Sequence, residues 1–309
     1  MKLAFVFPGQ GSQYVGMGLA LYERFEEVRA LFAGVGEALG YDIGDLCFRG
    51  PKEELDKTYH TQPCILTVSM AAYIALELHG IKPSITAGHS LGEYSALVAA
   101  GVFTARDAAI LTEKRGGFMQ DAVPEGKGLM AAIMGLNRDK VDEACLSVRS
   151  GYVAPANYNC PGQIVIAGEK EAVEEAMKIA KGLGAKRAIA LAVSVPSHCT
   201  LMVKASERLA EYLNSVDFSP PEIPVVNNAD AMVLSGVDDV KSSLVRQLNS
   251  PLLWEDSIRT IIAGDVEAFV EVGPGTTLSG LIKRIDPDMR VYNVSDPETL
   301  QSTIKALTV

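Results

Sequence analysis

Long hydrophobic runs and an excess of positive charge are both missing from this 309-residue sequence. No apolar stretch approaches the roughly 18–20 residues with which a helix crosses a membrane, so we expect no membrane association. Lys and Arg number 28 against 38 Asp and Glu, which gives a net charge of −10. Because nucleic-acid binding requires a basic face, this balance argues against DNA or RNA as a partner.

Cysteine is also sparse. The five cysteines are an odd number with no C-x-x-C pair, which argues against a disulfide scaffold and a zinc site and favours free thiols in a reducing cytoplasm. The apolar run Leu3–Phe7 breaks at Pro8-Gly9. It is too short for the core of a signal peptide and predicts a buried strand instead. We therefore expect a cytoplasmic protein without a bound metal.

The composition that is present, 48% hydrophobic and 21% charged residues, is that of an ordinary globular protein. A strand, a glycine turn and a helix recur three times, an alternation typical of a sheet covered by helices. The sequence therefore predicts an α/β fold. The predicted strands are Leu3–Phe7, Ile85–Gly88 and Ala268–Val272, and the predicted helices are Gly18–Leu39, Cys64–Leu78, Ser95–Ala100 and Thr276–Arg284.

The segment between Gly126 and Pro196 has a different order of elements, β-α-β-β-α-β, which is the ferredoxin-like plan. We expect residues 126–196 to form a subdomain inserted into a larger domain made of residues 1–125 and 197–309. The predicted strands of the subdomain are Leu129–Met134, Val153–Asn157, Gln163–Ala167 and Arg187–Val193, and its predicted helices are Arg138–Val148 and Lys170–Gly182.

The run Gly88-His89-Ser90-Leu91-Gly92 matches the pattern G-x-S-x-G, and a predicted strand precedes it and a small-residue helix follows. In such a turn the serine hydroxyl is exposed, and the next backbone N–H, here that of Leu91, can hold an oxyanion. The alternative interpretation is an ordinary turn from strand to helix with a capping serine. The context favours Ser90 as a nucleophile.

A serine nucleophile needs a base, and the sequence offers four histidines, at positions 60, 79, 89 and 198. His79 lies at a predicted helix C-terminus, where a cation complements the helix dipole. His60 lies in a polar stretch without a glycine turn, and His89 adjoins the serine, so its side chain points away from the hydroxyl. His198 follows Pro196 in a loop at the domain junction, and elimination favours it as the base. The neighbouring Cys199 lacks the glycine turn that a thiol nucleophile would need.

Two further features have two interpretations each. Gly9-Gln10-Gly11 follows the first strand but lacks the dinucleotide fingerprint, because position 14 is Tyr14 and not glycine. It forms either a simple tight turn or a second oxyanion donor through the Gln10 N–H. Arg115 is either a solvated helical residue or the clamp for the carboxylate of an anionic substrate.

The motifs together resemble the family of bacterial malonyl-CoA:acyl-carrier-protein transacylases, the stand-alone relatives of the acyltransferase domains of fatty-acid and polyketide synthases. The resemblance covers nearly the whole chain. It rests on Phe7–Gln13, Gly88–Glu93, Lys114–Met119, Asn157–Asn159, Pro196–His198, Gln247 before Pro251, and Val272–Gly275.

The resemblance implies a hydrolase-like α/β domain with an inserted ferredoxin-like subdomain, and a site. Ser90 would attack the malonyl thioester of coenzyme A, with His198 as general base and then general acid. The backbone N–H groups of Gln10 and Leu91 would form the oxyanion hole. A main-chain carbonyl at Gln247 would orient the histidine in place of an aspartate.

The resemblance also implies the substrate and the partner. Arg115 would bind the malonyl carboxylate, His89 would support the site, and an asparagine of the site falls on Asn157 or Asn159. The reaction would supply fatty acid synthesis by a ping-pong cycle with no bound cofactor.

The acceptor would be an acyl carrier protein, and we expect this chain to be a monomer. Acyl carrier proteins are acidic, as this chain is, so docking requires a local basic patch. Candidates are Lys114, Lys186-Arg187 and Lys283-Arg284. Two alternatives remain: a serine esterase or thioesterase that uses the same Ser-His pair, and a non-catalytic binding module.

Overall fold

The structure is a computed structural model that describes residues 1–124, 126–191, 193 and 195–307. The strands are β1 Leu3–Phe7, β2 Ile85–Gly88, β3 Gly128–Met134, β4 Val153–Cys160, β5 Gln163–Glu169, β6 Arg187–Ala190, β7 Val225–Val226, β8 Ala268–Val272 and β9 Arg290–Val294. The helices are α1 Leu19–Arg24, α2 Glu26–Leu39, α3 Ile43–Arg49, α4 Lys52–Leu55, α5 Thr58–Glu77, α6 Gly92–Ala99, α7 Ala105–Ala122, α8 Arg138–Leu146, α9 Lys170–Gly182, α10 Val203–Leu213, α11 Val237–Asn249, α12 Trp254–Ala263, α13 Thr277–Ile285 and α14 Pro297–Leu307, with a 3₁₀ turn at Thr200–Met202.

The larger sheet is parallel, in the order β7-β2-β1-β8-β9, with β1 at its centre. All residues of β1 are buried, and they alternate between two cores. Phe5 and Phe7 pack into the core that contains residues of α5, α6 and α7, whereas Ala4 and Val6 pack into the core that contains residues of α12 and α13. Because both faces are covered, the strand reads as a continuous apolar run.

The smaller sheet is antiparallel, in the order β4-β5-β3-β6, the strand arrangement of a ferredoxin-like unit. Side chains of β3 alternate across it. Ala131 and Ile133 pack in one core with residues of α8 and α9, whereas Met130 and Ala132 line a cavity between the two sheets. One face of the small sheet therefore forms a wall of that cavity.

The structure confirms the predicted α/β fold, and the elements next to glycine turns agree most closely with the prediction. The strands Leu3–Phe7, Ile85–Gly88 and Ala268–Val272 have their predicted bounds, as does the helix Lys170–Gly182. The division of the chain into domains stays a prediction, and its first boundary falls at Glu125, outside the described residues.

Other element bounds differ for physical reasons. The single helix predicted over Gly18–Leu39 is α1 and α2, because Phe25 between them is extended, with φ −118° and ψ 131°. The helix predicted from Cys64 begins at Thr58 and continues through Pro63, where buried residues on both sides hold it in place. The strand predicted over Arg187–Val193 ends at Ala190, and Ala192 lies outside the described residues.

The described residues contain no helix with the length and hydrophobicity of a membrane span. They also contain no group of three or more His, Cys, Asp or Glu side chains arranged to hold a metal ion.

Candidate active site

Ser90 lies in the sharp turn between β2 and α6, with a left-handed φ of 54°. The glycines on either side of it are required by close backbone contacts. A Cβ on Gly88 would lie 1.8 Å from the carbonyl carbon of Gly92, and a Cβ on Gly92 would lie 2.0 Å from the carbonyl oxygen of Phe7. The turn therefore accepts only glycine at both places, and it exposes the Ser90 hydroxyl to the cavity.

His198 is the imidazole that meets this hydroxyl. Its Nε2 lies 2.8 Å from Ser90 Oγ, and its Nδ1 lies 2.7 Å from the main-chain carbonyl oxygen of Gln247. Since a carbonyl only accepts, Nδ1 carries the proton and Nε2 offers its lone pair to the serine O–H. Burial, and then the nearby Arg115 guanidinium, lower the pKa of His198 to about 3, so the ring is neutral at neutral pH.

Arg115 lies at the floor of the cavity with 1% of its surface exposed. Its Nη1 donates to Gln62 Oε1 at 2.7 Å, and its Nη2 donates to Gln247 Oε1 at 3.0 Å and to Ser90 Oγ at 3.3 Å. Among the described residues, no carboxylate forms an ion pair with it. A buried cation without an ion-pair partner is costly, so this position favours the arrival of an anion.

Gln10 and Leu91 line the same cavity as Ser90, and Leu91 follows Ser90 directly in the chain. In the part of the chain that the structure describes, neither backbone N–H donates a hydrogen bond to the protein. Leu91 also opens helix α6, whose dipole favours negative charge at this end. Two unused donors next to a nucleophile are what an oxyanion hole needs.

The remaining predicted residues, His89, Asn157 and Asn159, also line the cavity. His89 Nε2 donates to Asn159 Oδ1 at 2.9 Å, and its ring meets Trp254 edge-on at 5.4 Å. Burial lowers the pKa of His89 despite this hydrogen bond, so the ring tends to be neutral. Asn157 is buried, and its Oδ1 has no partner within the described structure. Asn159 therefore holds His89, whereas Asn157 keeps an acceptor free.

The cavity itself has a volume of about 490 Å³, within the range of small-molecule sites. Met130, Ala132 and Val165 of the small sheet give it an apolar wall, opposite the polar groups around Ser90. The arrangement brings a serine hydroxyl, a neutral imidazole, two unused backbone N–H groups and a buried cation to one cavity. It is suited to acyl transfer from a substrate that carries a negative charge.

Sequence reasoning missed three buried residues that hold this site together: Gln62, Glu93 and Asn228. Asn228 Oδ1 accepts from the Ser90 N–H at 2.7 Å, and its Nδ2 donates to the Gly88 carbonyl at 2.7 Å, so it pins the turn. Glu93 is fully buried in α6. In the sequence, Glu93 stands out only as the one charged residue of a mostly apolar helix. The neighbouring residues in the sequence do not indicate its hydrogen-bond partners.

The chain is similar to known proteins along nearly its whole length. The model of the acyl transferase domain family matches residues 4–295. A malonyl CoA-acyl carrier protein transacylase of Escherichia coli O157:H7 is 49% identical over 98% of this chain and 99% of its own. A Bacillus subtilis (strain 168) protein of the same name is 46% identical, over 99% and 97%.

A similar solved structure is a malonyl-transacylase in complex with its type II polyketide synthase acyl-carrier protein. The two chains superpose with a TM-score of 0.97 at 46% identity, covering 99% of this chain and 100% of the other.

Proposed function

The chain belongs to the acyl transferase domain family, among the malonyl CoA-acyl carrier protein transacylases, and on that premise we propose that it transfers a malonyl group from coenzyme A to the phosphopantetheine thiol of an acyl carrier protein. The observation that carries the proposal is one juxtaposition. The Ser90 hydroxyl lies 2.8 Å from the His198 base and 3.3 Å from a buried guanidinium without a carboxylate partner in the described structure. We propose that fatty acid synthesis consumes the product.

In the first half-reaction, Ser90 Oγ attacks the thioester carbonyl of malonyl-CoA while its proton passes to His198 Nε2. The carbonyl oxygen becomes an oxyanion and accepts from the Gln10 and Leu91 N–H groups, each worth on the order of 2.7–4 kcal/mol in such sites. The carbon–sulfur bond then breaks, and the coenzyme A thiolate takes the proton from His198. The Gln247 carbonyl stabilises the transient imidazolium through Nδ1–H.

The second half-reaction runs the same steps in reverse with another thiol. His198 removes the proton of the carrier's phosphopantetheine thiol, and the thiolate attacks the malonyl ester on Ser90. The ester carbon–oxygen bond breaks, and Ser90 Oγ regains its proton from His198. Coenzyme A has to leave before the carrier thiol enters, because both thiols use the same base, and this makes the cycle ping-pong.

Arg115 is proposed to select the acyl group. A carboxylate on the donor would accept hydrogen bonds from the guanidinium and form the direct ion pair that Arg115 lacks among the described residues, which an acetyl group cannot do. An esterase with the same Ser-His pair would have no use for a buried cation at this place. The guanidinium therefore favours the transferase over the hydrolase.

The carrier is proposed to dock where basic side chains border the cavity. Arg187 and Ile189 pair with Met134 and Ala132 on the neighbouring strand, and paired residues of an antiparallel sheet share a face. Ala132 lines the cavity, so Arg187 and the half-exposed Ile189 lie on the cavity side. By the same alternation Lys186 lies on the other face.

A second arginine lies at the rim of the cavity. Arg284 on α13 donates to Gln163 Oε1 at 2.5 Å, and Gln163 lines the cavity. Its neighbour Lys283 donates instead to the Pro287 carbonyl at 3.1 Å. Arg187 and Arg284 are therefore the proposed carrier contacts, with Lys186 and Lys283 as neighbours that face elsewhere.

Intact-mass measurement after mixing with malonyl-CoA or acetyl-CoA tests the proposal. We expect a malonyl adduct on the wild-type chain, a much smaller acetyl adduct, and none in Ser90→Ala. Ser95→Ala, which removes a buried hydroxyl on helix α6 just after the Ser90 turn, is the matched control and should still be malonylated. No adduct on the wild type, or an adduct that persists in Ser90→Ala, would overturn the proposal.

A further inference from the structure

The Gln247 side chain links a buried cation to a buried anion. Its Oε1 accepts from Arg115 Nη2 at 3.0 Å, and its Nε2 donates to Glu93 Oε2 at 2.8 Å. Glu93 and Gln247 are 0% exposed, and Arg115 is 1% exposed. One amide group therefore stands between the guanidinium and the carboxylate, which interact without touching.

Glu93 is held in a way that suits both of its protonation states. Its Oε2 accepts both hydrogen bonds, from the Asn228 N–H at 2.9 Å and from Gln247 Nε2, while Oε1 is buried and has no partner in the described structure. A proton on Oε1 would leave both bonds at Oε2 in place. These donors favour the ionised form, but neither hydrogen bond has to break when Glu93 takes up a proton.

The groups that face Glu93 come from three other elements. The hydrogen bonds from Gln247 on α11 and from the Asn228 N–H in the loop after β7 favour the ionised carboxylate. The Arg115 guanidinium on α7 and, more weakly, Ser243 on α11 favour it as well. Burial outweighs them and raises the pKa of Glu93 to about 7. On α6 itself, burial raises the pKa of Tyr94 to about 12, so this phenol stays neutral.

Arrival of a second carboxylate changes this balance. A malonyl carboxylate on Arg115 would place two negative charges around one cation in a site shielded from water, and like charges in such a site favour protonation of one of them. We propose that Glu93 is the internal counter-charge of Arg115 and takes up a proton when the carboxylate of the acyl donor binds. The site then keeps one negative charge with or without the donor, and the inference rests on the proposed function.

Proton uptake ties donor binding to pH in one direction. When Glu93 is ionised in the free protein, each bound malonyl group requires one proton, so its affinity falls as the pH rises, by up to about tenfold per pH unit. An acetyl donor has no carboxylate and needs no proton. Both donors carry the same coenzyme A phosphates and bind beside the same His198. The difference between the pH dependences of their affinities therefore reports on Glu93 alone.

Titration calorimetry on Ser90→Ala, which binds donors without reacting, measures this uptake. At about pH 8, in two buffers of different ionisation enthalpy, we expect uptake approaching one proton per malonyl-CoA and none for acetyl-CoA. Glu93→Gln in the same background keeps an acceptor oxygen for both hydrogen bonds and should abolish the uptake. Equal uptake with both donors, or uptake that persists in Glu93→Gln, would overturn the inference.

A second measurement needs no change at Glu93. On Ser90→Ala alone, the affinity for malonyl-CoA relative to acetyl-CoA should fall as the pH rises above about 7. Parallel pH profiles would overturn the inference while leaving the proposed function intact. If malonyl-CoA failed to bind at all, the proposed function would fail and this inference with it.

Discussion

Ser90 and His198 share a backbone feature that few non-glycine residues have. Their φ angles are 54° and 60°, and only two other described non-glycine residues, Ala231 and Asp265, have a positive φ. Such backbone costs of order 1–3 kcal/mol and persists where the surroundings hold it. Here Asn228 holds the Ser90 turn, and the Leu248 carbonyl accepts from the His198 N–H at 3.1 Å. The two residues that we expect to exchange a proton are therefore among the four described non-glycine residues with this strained backbone.

The pH dependence of acylation reports on His198. With its pKa lowered to about 3, the ring stays neutral well below the ordinary histidine range, so the malonylation rate should hold between about pH 5 and 7. The free energy of unfolding, unlike this rate, depends on pH in the same range. Below about pH 6.5 the unfolded chain binds a proton at His198 that the folded chain does not, so the stability that this group contributes declines as the pH falls toward 3. Rapid-quench mass spectrometry measures the rate. A tenfold fall per pH unit below 6.5 would contradict the account.

Arg115→Ala tests selection of the acyl group. A hydrogen bond to a charged group contributes about 1.5–3 kcal/mol, so the preference for malonyl over acetyl thioesters should fall roughly ten- to a hundredfold. The adduct yields with the two donors measure it. Arg115→Lys keeps the charge but loses the planar fork, and it should retain part of the preference. An unchanged preference in Arg115→Ala would remove the arginine from donor recognition.

The candidate site was predictable from the sequence where chemistry depends on a local pattern. The glycines around Ser90 define a turn, and the small number of histidines left His198 by elimination. Glu93 and Asn228 could not be found in this way. The two residues are hydrogen-bonded to each other but lie 135 residues apart in the chain, and only the folded sheet brings them together.

Helix α7 carries Arg115, and its position depends on contact with α5. A Cβ on Gly116 would lie 2.6 Å from Tyr59 Cα and 2.8 Å from the Thr58 carbonyl oxygen, whereas a Cβ on Gly117 would meet no atom within 4 Å. Backbone atoms cannot move aside as a side chain can. Gly116 therefore sets how closely the two helices pack.

Adjacent alanine substitutions test this contact. Gly116→Ala should push α7 away from α5, lower the melting temperature and weaken the preference for malonyl. Gly117→Ala should be neutral or stabilise by roughly 0.5–1 kcal/mol, because it only improves helix propensity. Thermal unfolding of the two variants measures the difference. Equal melting temperatures would show that the helices do not depend on this glycine.

Elements were predictable where glycine or proline ends a single hydrophobic pattern, as at three of the five strands of the parallel sheet, β1, β2 and β8. They were not predictable where packing overrides the local signal. Phe25 interrupts an amphipathic run and lies against the main core, and Pro63 continues inside a helix that is buried on nearly every side. In both cases the deciding contacts are distant in sequence.

At the scale of the whole molecule, the net charge of −10 opposes an acidic carrier, so docking depends on where the few exposed cations lie. Arg187→Glu with Arg284→Glu should slow malonyl transfer to the carrier and leave acylation by malonyl-CoA unchanged. Lys186→Glu with Lys283→Glu makes the same change in net charge away from the cavity and is the matched control. Assays at low salt, quenched at fixed times, measure the rate of acylation and the rate of transfer to the carrier. Equal slowing in the two double variants would mean that only total charge matters.

The central claim, that this chain is a transferase, requires that the malonyl ester on Ser90 react with a thiol faster than with water. The most direct measurement starts from isolated malonylated protein and follows its intact mass with and without the phosphopantetheine-bearing carrier. We predict that the malonyl adduct persists in buffer and that the malonyl group moves to the carrier once the carrier is added. Loss of the malonyl group to water at the same rate in both samples would contradict the account.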